Sequence, residues 1–213
     1  MDLDHVLIAV ADLDAAGREF EERYGLASVE GGRHPGWGTA NRIIPLGGNY
    51  LELIAVVDES EATAHPFGRW VTRREPASAK LLGWAVRTHD IDEVSNRLGL
   101  TPTAGSRQTR DGHIIRWRTA GTGEAIAEPS LPFFIQWDQG TPFPGRIRVT
   151  HPADPVSIAG LELAGDPDRM ARWLGPHRLP IRVRPGPPAL VRVVLTGDRG
   201  EIVLGATLDL TDS

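Results

Sequence analysis

His5 and Glu52 are titratable residues set inside apolar, strand-like runs, LDHVLIAV and YLELIAVV. An imidazole and a carboxylate brought together can exchange a proton with each other or with a bound molecule. Between them runs GGRHPGWGTANRII, residues 31–44, which places His34 and Trp37 among glycines and a proline and then leads through Thr39 and Asn41 into a strand. Trp37 has little regular structure of its own to pack under, so it is the indole expected to touch a ligand. Asn41 offers two donors and one acceptor, either to a ligand or to the backbone of its own loop. Other chemistries are excluded. The chain has no cysteine, hence no disulfide, thiolate ligand or cysteine nucleophile. GGRHPGWG lacks the Lys-Ser/Thr pair of a phosphate loop and precedes a strand, not a helix. No Ser-His-Asp arrangement stands out by spacing.

These side chains depend on the elements that carry them. Residues 3–10 read as a strand, Asp12 as a helix cap, and LDAAGREFEERYG as a helix closed by Gly25. Strands follow at 27–30, 40–46 and 50–57, giving β-α-β-β-β. The succession recurs with a strand at 82–88, a helix from Asp90 to Gly99, and strands at 101–107, 113–119 and 133–137. A third pass has a strand at 156–163, a helix over GDPDRMARWLG, and strands at 182–184, 190–196 and 201–204. Asp12, Asp90 and Asp166 occupy equivalent joints, so one unit repeats about every 75 to 80 residues. The expected fold class is α+β: tandem β-α-β-β-β modules, two forming a curved open trough, plus a third related module. The expected domains are 1–138, holding modules 1–57 and 79–138, and 139–213, holding a Pro/Gly-rich connector and the third module.

Alternation along strands then assigns faces. Val6, Ile8 and Val10 point toward the helix; Leu3, His5, Leu7 and Ala9 point into the trough. Leu51, Leu53 and Ala55 face the helix, whereas Tyr50, Glu52 and Ile54 share the open side with His5. Arg87 is likewise placed on the trough side. Trp84 and Trp173 are expected in the core, and Trp70, in the helical PFGRWVTRRE segment, is left open.

The chain has 213 residues, enough to bury a substantial core, with 24 glycines and 17 prolines marking many turns. A formal net charge of −5 argues against a nucleic-acid partner. The N-terminus has no basic region and no apolar run reaches membrane length, so no membrane partner and a cytoplasmic location are expected.

LDHVLIAVADLDAA, RHPGWGTANRIIPLGGNYLELIAV and the second unit ending FFIQWD together resemble the vicinal oxygen chelate superfamily, in its glyoxalase-like branch. The resemblance covers nearly the whole chain, most tightly residues 3–56. It implies two modules side by side around a trough in which a divalent metal chelates adjacent oxygens of a substrate, with ligands from the first and fourth strands of both modules. Carried over residue by residue, those positions are His5 and Glu52 in the first unit, both suited to Zn, Ni, Mn or Fe(II). In the second unit they fall on Gly83 and on Ile135 or Gln136, and in the third near Ala159 and Val203. The chain departs from the pattern there, because a catalytic zinc normally has about three protein ligands. His34 or His113 would have to complete the set. Glu52 needs a partner if buried, and metal, His5 and Arg87 are the candidates.

Two functional readings follow. One is a glyoxalase-like small-molecule-binding protein acting as a divalent-metal-dependent lyase, isomerase or dioxygenase on a small oxygenated substrate, with His5 and Glu52 as metal ligands and catalytic residues. The other is a metal-free binding or sequestration protein of the drug-resistance type, or an enzyme using acid–base residues alone, with His5 and Glu52 in structural hydrogen bonds; a blander third reading is a structural or assembly role for the trough. In either functional reading, His34, Trp37, Thr39, Asn41, Tyr50, Arg87 and Gln136 are the expected ligand-binding residues. The odd third unit leaves a sheet face over, which either packs on the first two units or pairs with the same unit of a second chain; a homodimer is the expectation.

Overall fold

The computed structural model describes residues 1–72, 78–153, 156–198 and 200–209. The first unit comprises β1 (Asp2–Ala9), α1 (Leu13–Tyr24), β2 (Val29–His34), β3 (Thr39–Pro45) and β4 (Tyr50–Val56). Asp12 caps α1 by accepting from the Ala15 amide, and Gly25 closes it in the left-handed conformation, φ 67°. Two short helices follow, α2 (Glu59–Ala64) and α3 (Pro66–Val71). His65 is extended, as the residue before a proline must be, and this breaks the run in two. Residues 73–75 of the helical segment expected around Trp70 lie outside the described residues.

The second unit comprises β5 (Ser78–Arg87), α4 (Ile91–Leu98), β6 (Thr103–Gln108), β7 (Ile114–Ala120), α5 (Thr122–Ala127) and β8 (Phe133–Trp137). Helix α5, six residues long between two strands, is too short to show a helical period in the sequence. The third unit comprises β9 (Val156–Ala164), α6 (Pro167–Leu174), β10 (Ile181–Arg184), β11 (Ala189–Gly197) and β12 (Gly200–Gly205), followed by β13 (Thr207–Asp209).

Both of the first two units order their strands first-fourth-third-second, and together they form one sheet, β1-β4-β3-β2-β6-β7-β8-β5-β13. β1 also pairs antiparallel with β5, with Leu7 opposite Gly83. Eight strands therefore return on themselves. The two units form the expected curved trough, and at its far rim a single bridge, Arg33 to Gln108, joins β2 to β6. Gly32 permits that closure. Its φ is 146°, and a Cβ there would stand 2.1 Å from the Gln108 carbonyl oxygen.

The third unit has the expected succession of elements but its own strand order, β10-β9-β11-β12. Its last strand folds back on β11 as a hairpin instead of inserting beside β9. Ile158, Leu161, Leu163, Leu190, Val193 and Leu195 bury its inner face in the same core as Val6, Ile8, Phe20, Leu51 and Trp84. The face thought to be left over is thus covered within the chain, and β13 continues into the large sheet beside β5.

A second, smaller core lies inside the ring, with Leu7, Ala9, Ile54, Phe67, Trp70, Ala85, Trp117 and Phe133. Strand alternation places these faces with one exception. A register shift between Leu3 and His5 sends Leu3 to the helix-side core, not to the trough. Because Gly32 has both a strained φ and no room for a Cβ, Gly32→Ala is expected to lower unfolding free energy by about 2 kcal/mol or more. Gly48→Ala, where nothing lies within 4 Å of an added Cβ, is expected to be near neutral. Urea midpoints at constant slope check the pair.

Candidate functional site

The ring encloses a cavity of about 300 Å³. One wall is aromatic and apolar, with Trp37, Phe67, Trp117, Phe133, Ile135 and Trp137; the polar floor is His5, His34, Asn41, Glu52 and Arg107. β1 and β4 run parallel with Leu7 opposite Glu52, which sets His5 and Glu52 on the same face.

His5 is held from both ends. Its Nδ1 donates to Asp4 Oδ1 at 2.7 Å, because a carboxylate only accepts, and its Nε2 lies 3.6 Å from Glu52 Oε2. The ring stacks on Tyr50 with centroids 4.8 Å apart. Asp4 is fully buried, and its other oxygen accepts from Trp137 Nε1 at 3.0 Å and, at 3.5 Å, from Arg87 Nη1. Glu52 is 6 % exposed and accepts from Asn41 Nδ2 at 2.8 Å. Asn41 Oδ1 accepts in turn from Arg107 Nη1 over 3.4 Å. The floor is therefore one polar chain: Arg87, Asp4, His5, Glu52, Asn41, Arg107.

His34 comes from the end of β2. Its Nδ1 meets the Thr39 hydroxyl at 2.9 Å and its Nε2 stands 3.9 Å from Glu52 Oε1. Burial pushes its pKa down to about 4, with Glu52 opposing and Arg107 and His5 adding to the depression. It is a neutral ring at neutral pH. Tyr50 is held well above its ordinary pKa, first by burial and then by Asp4 and Glu52, so it stays a phenol. Trp37 is clamped between His34, at 5.5 Å, and His65, at 5.0 Å.

His5, His34, Trp37, Asn41, Tyr50 and Glu52 thus meet in one cavity. Three residues expected at the ligand do not. Thr39 lies behind His34 and orients it without lining the cavity. Arg87 pairs with Asp2 and Asp4 and lies over the Phe143 ring, at 4.2 Å. It opens into a separate cleft, with Trp137 as the shared wall, so the Glu52–Arg87 ion pair does not form. Gln136 points to the opposite face, where its Oε1 accepts from the Ile91 amide and its Nε2 donates to His89 O. It fastens the start of α4.

Asp4, Arg107, Trp117 and Trp137 were not singled out from sequence. Asp4 lies at the register shift between Leu3 and His5, where alternation does not fix a face; Arg107 sits in TAGSRQTR, a run with too few apolar residues for alternation to declare a face.

The residues do not fit the metal set that the resemblance implies. Trp70 lies over Gly83, so that a Cβ there would stand 2.7 Å from the indole, and Ile135 is apolar. Ala159 and Val203 are exposed on the third unit, and His113 is exposed and paired with Asp111. His5 and His34 approach opposite oxygens of Glu52. Among the described residues, no group of three or more His, Cys, Asp or Glu is placed to hold a metal ion.

The depressed His34 pKa has a stability consequence with a definite sign. The unfolded chain takes up this proton near pH 6.5 and the folded chain only near 4. The contribution is therefore complete above about pH 6.5 and is lost as pH falls toward 4, about 3 kcal/mol at full loss. Between pH 7 and 4.5, wild type is expected to lose about 2 kcal/mol or more beyond what His34→Gln loses, measured by urea unfolding. The His34 ring resonances are expected to titrate near pH 4.

Among solved structures, a hypothetical protein from Staphylococcus aureus is similar over 93 % of this chain and 92 % of its own, at 16 % identity and TM-score 0.72, which shows a shared fold. Methylmalonyl-CoA epimerase from Mycobacterium tuberculosis matches at 20 % identity and TM-score 0.42, over 63 % of this chain and 85 % of its own. The Streptomyces coelicolor epimerase matches at 18 % identity and TM-score 0.46, over 66 % and 96 %. No curated protein matches the chain. No described helix is long and apolar enough to cross a membrane. The model of the glyoxalase-like domain matches residues 3–178. This match spans both ring-forming units and runs into the third, and with it the chain belongs to the glyoxalase-like domain family.

Proposed function

We propose that the chain binds a small, largely apolar, oxygenated molecule and moves a proton on it, with His5 and Glu52 as the catalytic pair and without a metal ion held by the protein. The observation that carries this reading is the 3.6 Å separation of His5 Nε2 from Glu52 Oε2 on the wall of the cavity. Asp4 accepts the hydrogen bond from Nδ1, so Nε2 is the ring nitrogen left to face the Glu52 carboxylate. A ligand C–H or O–H placed at the gap meets a base on one side and a proton donor on the other, the requirement of general acid–base catalysis. The aromatic wall supplies the apolar contact that orients the rest of the molecule.

Of the classes expected from sequence, isomerisation needs only such a transfer, and elimination needs it together with departure of a leaving group that carries off the electron pair and takes up a proton from the donor side. The dioxygenase class needs a redox metal, for which the second unit supplies no ligand. The absence of a nucleic-acid partner belongs to this proposal on the strength of the net charge of −5, and the cytoplasmic location and absence of a membrane partner belong to it as expectations from apolar runs too short to span a bilayer. The homodimer loses its reason, because the third sheet's apolar face is covered within the chain. Sequestration without turnover is the competing reading, and it uses the same cavity.

Deuterium exchange separates the two. In D₂O, a bound ligand with an acidic C–H next to a carbonyl is expected to exchange that proton in the presence of wild type, followed by ¹H NMR. Glu52→Gln, which keeps the shape of the side chain, is expected to slow exchange by about 100-fold or more while retaining binding. Binding without exchange across a panel of such ligands would establish sequestration. Titration with Zn, Ni, Mn and Fe(II) is expected to find no tight site, and stoichiometric metal lost in Glu52→Ala would overturn the metal-free part.

A further inference from the structure

Arg107 is the residue of this cavity with the least explained burial. It is 3 % exposed and lines the pocket. Its Nη1 has one long hydrogen bond, 3.4 Å to Asn41 Oδ1, and its buried Nε has no partner. Among the described residues no carboxylate lies within ion-pair distance of it. A guanidinium removed from water is costly unless an anion and a full set of acceptors replace the lost solvent. Glu52 is one carboxamide away, on the far side of Asn41.

The surrounding backbone makes room for this side chain. A Cβ on Gly31 would stand 2.6 Å from Arg107 Nη1 and 2.0 Å from Asn41 Oδ1. The first glycine of GGRHPGWG is thus the gap through which a cation from the second unit reaches the floor built by the first. Asn41 is fixed with its oxygen toward Arg107 and its nitrogen toward Glu52, so the floor has a positive end and a negative end.

Resting on the reading of this cavity as the ligand site, we propose that Arg107 is the anchor for a carboxylate on the ligand, so that the pocket selects planar, apolar monocarboxylates. The planar fork of a guanidinium matches a carboxylate in two parallel hydrogen bonds. The aromatic wall of Trp37, Phe67, Trp117 and Trp137 takes the body, and a cavity of about 300 Å³, at the small end of ligand sites, has room for one or two rings. With the carboxylate at Arg107, the neighbouring atoms of the ligand lie toward Glu52 and His5. The structural alternative is that Arg107 only offsets the charge of Glu52 through Asn41.

The test uses 2-naphthoate and 2-naphthamide, which share a body and differ in charge, with binding followed by quenching of the cavity tryptophans. Wild type is expected to prefer the acid on the order of 10- to 100-fold. Arg107→Met is expected to abolish the preference while changing amide affinity little, and Arg107→Lys to keep part of it. Equal binding of acid and amide to wild type would overturn the anchor and leave the cavity as a small-molecule site. A preference that survives Arg107→Met, or a loss of both probes in equal measure in a folded Arg107→Met, would also overturn the anchor. Failure of wild type to bind either probe would remove the anchor together with the reading of the cavity. Should Arg107→Met not fold, the wild-type ratio and Arg107→Lys decide.

Discussion

β1 is hydrogen-bonded along both edges, parallel to β4 and antiparallel to β5, and everything in the cavity is positioned from it. A strand paired on both sides and packed on both faces has no freedom to slip, since a one-residue shift would exchange its two faces. Val6 and Ile8 are locked into the helix-side core, and that fixes Leu7 and Ala9 inside the ring. The pairing also joins the two units, so their relative placement and the location of His5 are one constraint. The irregularity between Leu3 and His5 is where this strand departs from alternation. It brings consecutive residues, Asp4 and His5, into contact through their side chains, which regular pleating forbids.

From that contact follows the electrostatic order of the floor. Burying Asp4, His5 and Glu52 together is tolerable only because each is next to a group of complementary character. Asp4 is satisfied by an imidazole, an indole and a half-buried arginine. Glu52 has a carboxamide and two imidazoles around it. The two histidines differ because of what stands behind them. His5 has a carboxylate at Nδ1, whereas His34 has the hydroxyl of Thr39. The second ring stays neutral and acts as a packing and hydrogen-bonding surface.

How much of this the sequence disclosed depends on the range of each signal. Caps at Asp12, Asp90 and Asp166 are local chemistry and were legible as joints. The facing of His5 and Glu52 followed from short strands rich in apolar residues, where parity is unambiguous. Arg87 shows where parity stops being enough: it lies beyond Trp137, in a different cleft, and its partners Asp2 and Asp4 are fixed by the β1–β5 pairing. Gln136 was assigned by a one-residue choice of alignment, and one residue is the difference between the cavity and the cap of α4. The order of strands in the third sheet is a matter of pairing between distant segments, on which element succession is silent. Arg107 escaped because TAGSRQ carries small and polar residues on both faces.

The two ring-forming units share a topology but not a role. The first supplies His5, His34, Asn41 and Glu52; the second supplies most of the apolar wall and one cation. At Gly83, the second unit's counterpart of His5, the space for a side chain is taken by Trp70 from α3. That indole packs in the apolar cluster inside the ring, with Leu7, Phe67 and Ala85. It also leaves the negative charge of Glu52 with no second-unit ligand set to complete a metal site. The cation that the second unit does provide arrives from β6, and only because Gly31 has no side chain. A lysine at that position would carry the same charge as a single point, more strongly hydrated and without the fork that spans two oxygens. The arrangement therefore favours a delocalised cation that can face Asn41 on one side and leave donors for a second, planar anion on the other.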